Sequence, residues 1–516
     1  MLFRMTHAIS LFSEVEFFNF SITTSEKLAP SPRGVARGKF PSRCTFGKWC
    51  FGWLFVFFWL SFIGSESSKA EAAAYYVSPS GSDAHPGTSA ASPWRTIERV
   101  NAAKFQPGDQ ILLQRGGEWR ESLIVGSSGT REKPITFADY GQGAKPRLIG
   151  SQVLANSRFV SLGGTLYAYK IDSPVHAVLA DHRFLFDALG QPVESVKNSY
   201  TWNEGFLKIN SSEGDPRTNG RQYTACMRED IIYSKAQNHL KIRNLATDES
   251  AKFGGGYGIR IMDSQDISVE GCAVYRAGKH HFGCINSTQV VFRNCYAAYA
   301  MPRQGMGGQS AYVSFGDNKD KPHQSSEYLD CTFDHTQDTW DETHGYYFFV
   351  SHGSSIGSVL LKNIVSRGAP CSVDNRDNGA IIKIIGGFLE NSRLELYGQE
   401  ILIDGLHMKG TQSTVDISAS RCVLQNMSIV GTNLGTAWYQ TAVFSRQPQN
   451  TVRFCKITLS RSSPDFNTCL AVGENSTNFS YYGNTLISNG EPFKNWGNSS
   501  VLEARNNTQK LWKSLD

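Results

Sequence analysis

From residue 240 onward the chain places apolar and polar residues in short alternating bursts, and the bursts repeat. Shifted by 23 positions, "YGIRIMDSQDISVEGC" (257–272) falls on "HHFGCINSTQVVFRNC" (280–295). Ile259 then lies on Phe282, Ile261 on Cys284, Ser264 on Ser287, Ile267 on Val290, Val269 on Phe292 and Cys272 on Cys295. Alternation over four to eight residues is the signature of a half-buried strand. Each unit therefore predicts two strands separated by a polar turn. The pattern returns with insertions in "SAYVSFGDN…EYLDC" (310–331), "GYYFFVSHG…VLLKNI" (345–364), "SRLELYGQEILIDGL" (392–406) and "RCVLQNMSIV" (421–430). A repeat of this length suits one circuit of a coil, in which each turn buries its apolar face on the next.

Composition agrees with an all-β chain. The 516 residues include 48 Gly, 31 Phe and 20 Tyr with 19% charged residues, which leaves little material for long amphipathic helices. Nine of the eleven cysteines follow residue 72. Cys272, Cys295 and Cys331 close the equivalent strands "SVEGC", "VFRNC" and "EYLDC", so they are expected to stack as buried free thiols instead of pairing. The net charge of +5 is small for the length, and basic residues before position 49 supply part of it. Nucleic acid is not expected as a partner.

One apolar run, "WCFGWLFVFFWLSFI" (49–63), has a basic flank before it and Ala70-Glu71-Ala72 after it. It is short for a spanning helix of about 20 residues and reads as a secretory signal. The expected organisation is an N-terminal extension (1–48), a signal or anchor (49–72), a cap with first rungs (73–150), irregular strands and hairpins (151–240) and regular rungs with a C-terminal cap (241–516). A secreted, periplasmic or cell-surface monomer is expected, with membrane contact only through an uncleaved 49–63 run.

Over residues 240–475, joined by "YYVSPSGSDAHPGTSAASPWRTIERVN", "FQPGDQILLQRGGEW" and "KPITFADYGQGAKPRLIG" (75–150), the chain resembles the parallel β-helix proteins of the pectate-lyase-like superfamily. The resemblance implies an all-β, right-handed parallel β-helix (solenoid) with an N-terminal cap, its short helix falling near Pro93–Ala103. It also implies an exported enzyme acting on a polysaccharide. Reaction type is open, because one scaffold carries many chemistries. The paired aspartates of polygalacturonases, the calcium-and-arginine pattern of pectate lyases and the motif of alginate epimerases are not found in this sequence.

Alternation with Ile259, Ile261, Phe282 and Cys284 inward sends His281 outward, and the later units extend that outward column through Tyr312, Ser314 and Tyr347. The polar residues near it suggest two mechanisms. For β-elimination of a uronate polymer, His281 or Lys279 would be the base, Arg376 or Lys383 the carboxylate partner, and Tyr347 or His344 the proton donor, although Lys383, inside "AIIKIIGG", is expected to point out of the second sheet and away from the groove. For hydrolysis, Asp341 with Asp374 or Asp377 would be the carboxylate pair. Tyr312, Ser314, Trp340 and His352 would bind sugar, as aromatic and hydroxyl surfaces do. The substrate expected is a polysaccharide, elimination being the leading reading, with hydrolysis and carbohydrate binding without turnover as rivals. No metal site and no required cofactor are expected; calcium stays open as an option that no loop motivates.

Overall fold

Strands from residues far apart in the chain lie side by side in matching register. Ile259 pairs with Phe282 and Ile261 with Cys284 on one sheet; Ile267 pairs with Val290 and Val269 with Phe292 on another. The 23-residue shift in the sequence is thus the rung-to-rung offset of a parallel β-helix. The computed structural model describes residues 72–188, 190–250, 256–299, 309–316, 324–336, 346–352, 356–368, 371–374, 381–411, 413–431, 441–459, 468–496 and 499–511. At 309, 346, 347, 352, 356 and 371–374 it describes the backbone alone. The 49–63 run lies outside the described residues.

Most rungs contribute one strand to a front sheet and two to a 25-stranded sheet that wraps the rest of the coil, while Ile356–Arg367 and Ile381–Glu390 are single long strands that span both of those positions. The front sheet comes in two six-stranded parts. The first contains Leu123–Val125, Asp230–Lys235, Tyr257–Met262, His280–Ile285, Gln309–Phe315 and Tyr346–His352, all parallel. The second runs from Cys371–Asp374 to Phe493–Asn495 in the later rungs.

Sharp corners between strands are made by residues that tolerate left-handed backbone. Gly271 (φ 62°), Asn294 (φ 51°) and Asp330 (φ 55°) hold one such corner in successive rungs. Glycine has no Cβ to clash there, and short polar side chains bear it better than most. The residue after each is Cys272, Cys295 or Cys331, and all three are buried and free. The expected thiol stack is what the coil contains.

One interior cluster runs the length of the coil, from Val77 and Ile97 to Leu486. The helix near the start is Ile97–Ala102, shorter than the 93–103 expected. Thr96 caps it by accepting from the Arg99 amide, and Ile97 and Val100 face the core. Between Gly150 and Met227 the chain leaves the coil to build a separate body. It consists of a four-stranded sheet (Ser151–Leu154, Ala177–Ala180, Arg183–Phe184, Tyr223–Cys226) and a five-stranded one, mostly antiparallel, with their own core around Tyr167, Leu207 and Tyr223. Trp202 packs against that core, and Phe206 is 48% exposed. The coil resumes at Asp230.

Alternation breaks once in each of the five front strands from Asp230–Lys235 to Tyr346–His352. Ladder partners run Asp230, Tyr257, His280, Ser310, Tyr347 and then Ile232, Ile259, Phe282, Tyr312, Phe349. The residues between them turn inward as well: Ile231, His281, Ala311 and Phe348 are fully buried, and a Cβ at Gly258 would overlap Val274. Two consecutive inward positions shift the face on which every earlier residue of the strand lies.

Candidate functional site

That break reverses the roles of the two histidines. His281 is fully buried, its Nε2 lies 3.0 Å from the Ala298 carbonyl and its ring packs against Phe333. It is an interior residue, and the expectation that it faces substrate is corrected. His280 instead occupies the outward column, as ladder partner of Tyr257 and Ser310.

Around His280 the outer face of four adjacent rungs gathers a compact set of polar groups. His280 Nδ1 is 2.8 Å from Ser310 Oγ on the next rung, and its ring lies 5.0 Å from that of Tyr257 on the previous one. Tyr257 sits under the guanidinium of Arg260, 4.8 Å from ring centre to Cζ, and Tyr233 lies 5.6 Å from the same Cζ. Asp230 holds Arg260 at 3.2 Å and accepts from the Tyr257 amide, also at 3.2 Å. Lys279 enters the strand half-buried beside this group. Gly283 completes the arrangement by omission: a Cβ there would overlap the Tyr257 ring.

Burial and like charges set the protonation states. Burial, reinforced by the Lys279, His281 and Arg260 charges, pushes His280 well below the ordinary imidazole range, so it is neutral at pH 7. Burial and the Arg260 charge lower the Lys279 ammonium. The Tyr257 phenol is pushed up to about 12 by burial, against the opposing pull of Arg260. The site can thus offer a neutral base, a fixed guanidinium, a softened ammonium and a phenol that keeps its proton.

Other expected residues fall elsewhere. Tyr312 is fully buried, stacked on Phe282 at 5.1 Å, and donates to the Cys295 and Thr332 carbonyls at 2.9 and 3.0 Å. Ser314 is buried too, with its hydroxyl 2.6 Å from Ser326 Oγ and 2.8 Å from Tyr328 OH. Both were expected to bind sugar; both belong to the interior. The reason is register: Tyr312 pairs with Phe282 and Ser314 with Cys284, inward positions by the repeat itself. Lys383 is exposed on the 25-stranded sheet, away from the front face. Tyr347 and His352 lie on the front strand Tyr346–His352, and Asp374 ends the strand Cys371–Asp374. Trp340, Asp341, His344, Arg376 and Asp377 lie outside the described residues.

Asp230, Tyr257, Arg260 and Ser310 were not singled out from sequence as functional. Carrying the repeat one unit back would have placed Asp230, Tyr257 and His280 in one column, since all three are ladder partners. Among the described residues no group of His, Cys, Asp and Glu is arranged to hold a metal ion.

No protein-family model matches the chain. A lacto-N-biosidase from Bifidobacterium longum subsp. longum is 35% identical over 82 residues, which are 15% of this chain and 5% of that protein. The uncharacterized protein YwoF of Bacillus subtilis is 37% identical over 84 residues, 16% of this chain and 17% of that one. The match thus spans a small part of either relative. Among solved structures, the complex of XylC with xylose aligns with 82% of this chain and 69% of its own at 12% identity and a TM-score of 0.44. A mannuronic-acid-specific polysaccharide family 6 lyase from human gut microbiota covers 77% of this chain and 78% of its own, at 12% identity and a TM-score of 0.43.

Proposed function

We propose that the chain is a carbohydrate-active enzyme of the pectate-lyase-like superfamily, cleaving a uronate-containing polysaccharide by β-elimination on the outer face of the front sheet. One observation carries this reading. A neutral imidazole, a protonated phenol and two cations are stacked on adjacent rungs, while the single carboxylate among them, Asp230, is engaged by Arg260.

In this reading His280 donates from Nδ1 to Ser310, which leaves the Nε2 lone pair free to take the proton α to the uronate carboxyl group. The electrons of that C–H bond form the new C4–C5 double bond, and the C4–oxygen bond breaks. Tyr257 gives its proton to the departing oxygen. Arg260 and Lys279 meet the charge that builds on the carboxylate, worth most in a site that excludes water. No metal is required for any of these steps. The chain would act outside the cytoplasm as a monomer, with the polysaccharide as its partner.

His280→Ala tests the assignment. Elimination on an acidic polymer should fall by a hundredfold or more, on the order of what general-base catalysis supplies, while melting shows a folded protein. Undiminished turnover would remove His280 from the mechanism. Hydrolysis is the second reading, favoured by the short stretch of identity with a lacto-N-biosidase. It would place Asp341 and Asp374 as the carboxylate pair, and activity surviving in either Asp→Asn variant would exclude that pair.

A further inference from the structure

Where the inserted body meets the coil, a cleft of about 340 Å³ opens, lined by Ser173, Pro174, His176, Met227, Arg228 and Glu229. This is within the size range of small-molecule sites. It adjoins the front-sheet site directly. Glu229 precedes Asp230 in the chain, and the Tyr257 amide donates both to the Glu229 carbonyl at 3.0 Å and to the Asp230 carboxylate at 3.2 Å. The charge of Glu229 also acts on Asp230, Tyr233 and Tyr257.

The wall of this cleft is held rigidly against the coil. Met227 and Arg228 both donate their amides to the Gly150 carbonyl at 3.2 Å, which clamps the two ends of the insertion together. A Cβ at Gly150 would stand 2.5 Å from the Glu249 carbonyl and from Ile231 Cδ1, so this close approach needs glycine. Deeper in the junction the buried Glu249 carboxylate gathers three parts of the inserted body: Ser151, His182 (Nδ1 at 3.0 Å) and Thr224 (3.3 Å). Arg276 and Arg120 stand 3.8 and 3.9 Å from the same carboxylate. The Met227–Arg228 side of the cleft is therefore fixed before any ligand arrives, which lowers the ordering cost of binding there.

Arg228 is the distinctive group in it. Its guanidinium is partly buried, and its side chain bonds the Gly150 carbonyl at a long 3.4 Å. Burial lowers its pKa, the nearby Arg120 adds to that, and Glu121 opposes it. A cation in such a position gains from an anion of matching shape, and a carboxylate offers the guanidinium fork two parallel hydrogen bonds.

We infer that this cleft is a flanking subsite, in which Arg228 takes the carboxylate of a uronate unit next to the one at His280, and His176 and Glu229 meet its ring hydroxyls. The inference rests on the elimination reading above and deepens it: the inserted body would make the enzyme selective for consecutive acidic sugars. An isolated uronate between neutral sugars would fill the reactive position but not the cleft.

The test is calorimetric binding of an oligouronate size series, with neutral oligosaccharides of equal length as controls, to the full chain carrying His280→Ala. The same titrations are repeated with Arg228→Gln added, and melting of each variant checks the fold. The expected result is a loss of about tenfold or more in affinity for chains of two or more uronates, none for a single uronate, and partial recovery in Arg228→Lys. In the active background, Arg228→Gln should raise KM for long chains with kcat unchanged. Equal affinity of the two proteins for every length, or an equal loss on neutral chains, would overturn the subsite while leaving the elimination reading standing. If the parent protein binds no oligouronate at all, both fall together.

Discussion

His280 Nδ1 and Ser310 Oγ meet across one rung at 2.8 Å, and both residues are buried. The bond fixes the plane of the imidazole and links two strands that are 30 residues apart in the chain. Ser310→Ala should therefore leave the base in place but loosen its aim. The expected outcome is a drop in kcat of about tenfold, smaller than that of His280→Ala, with KM little changed. An effect confined to KM would show that the serine touches substrate instead.

The neighbouring histidine should behave in the opposite way. His281→Ala leaves the Ala298 carbonyl without this donor and opens space against Phe333. The carbonyl keeps the Arg276 amide at 3.1 Å, so the cost is that of one lost hydrogen bond and the ring's packing, about 1–3 kcal/mol. Chemical denaturation should report that loss, while turnover per folded molecule stays near the parent value. A large kinetic defect with unchanged stability would restore His281 to the site.

Acid should act through His280. Its folded pKa lies well below the unfolded value of about 6.5. As pH falls below about 6.5, the unfolded chain takes up a proton that the native state refuses, so stability drops with falling pH through the window down to the folded pKa. His280→Ala should flatten that part of the stability curve. The same shift keeps the base competent in acid, so the acid limb of the kcat profile should lie below pH 6.5. An acid limb at or above that value would contradict the neutral, buried imidazole.

Alkali should act through the thiols. Burial pushes Cys272, Cys284 and Cys469 up to about 12. Unfolded thiols ionise near 8.5, so the contribution of these groups is complete below that pH and is lost as pH rises from about 8.5 toward 12. Melting temperature should fall over this range, and a thiol reagent should label the native coil only as it unfolds. Rapid labelling of Cys272, Cys284 or Cys469 in the native protein would refute their burial.

Gly283 offers a test of the phenol. Because a Cβ there would overlap the Tyr257 ring, Gly283→Ala should displace the ring and reduce both stability and turnover. Tyr257→Phe keeps the ring and removes only the proton donor. It should cut kcat by a hundredfold or more, on the order of a lost general acid, at nearly unchanged melting temperature. Full activity in Tyr257→Phe would assign the donor elsewhere.

What the sequence made legible follows from which positions are constrained by packing. Ile259, Phe282, Ile267 and Val290 must fill one continuous interior, so they repeat in register and reveal the coil. The Gly271, Asn294 and Asp330 corners repeat because few residues accept their backbone. The outward face had no such constraint, and its phase depends on a break in alternation that apolar content hides: Ile231, Ala311 and Phe348 read as ordinary strand residues. His281 occupies the same inward column and was taken for a substrate group for that reason. Tyr312 was misplaced differently, since the insertion before Gln309 obscured its register with Phe282. The cleft at Arg228 depends on an excursion of the chain between Gly150 and Met227, and no periodic pattern announces where such an excursion returns.

The central claim is that this face carries out elimination, and product chemistry tests it most directly. The purified chain would be given a panel of acidic and neutral polysaccharides while the ultraviolet absorbance of unsaturated uronate ends and the number of new reducing ends are followed together. The account predicts that both rise in step on an acidic polymer and that neither rises on a neutral one. Reducing ends without the absorbance would contradict it and assign the chain to hydrolysis; tight binding with neither signal would leave a carbohydrate-binding protein.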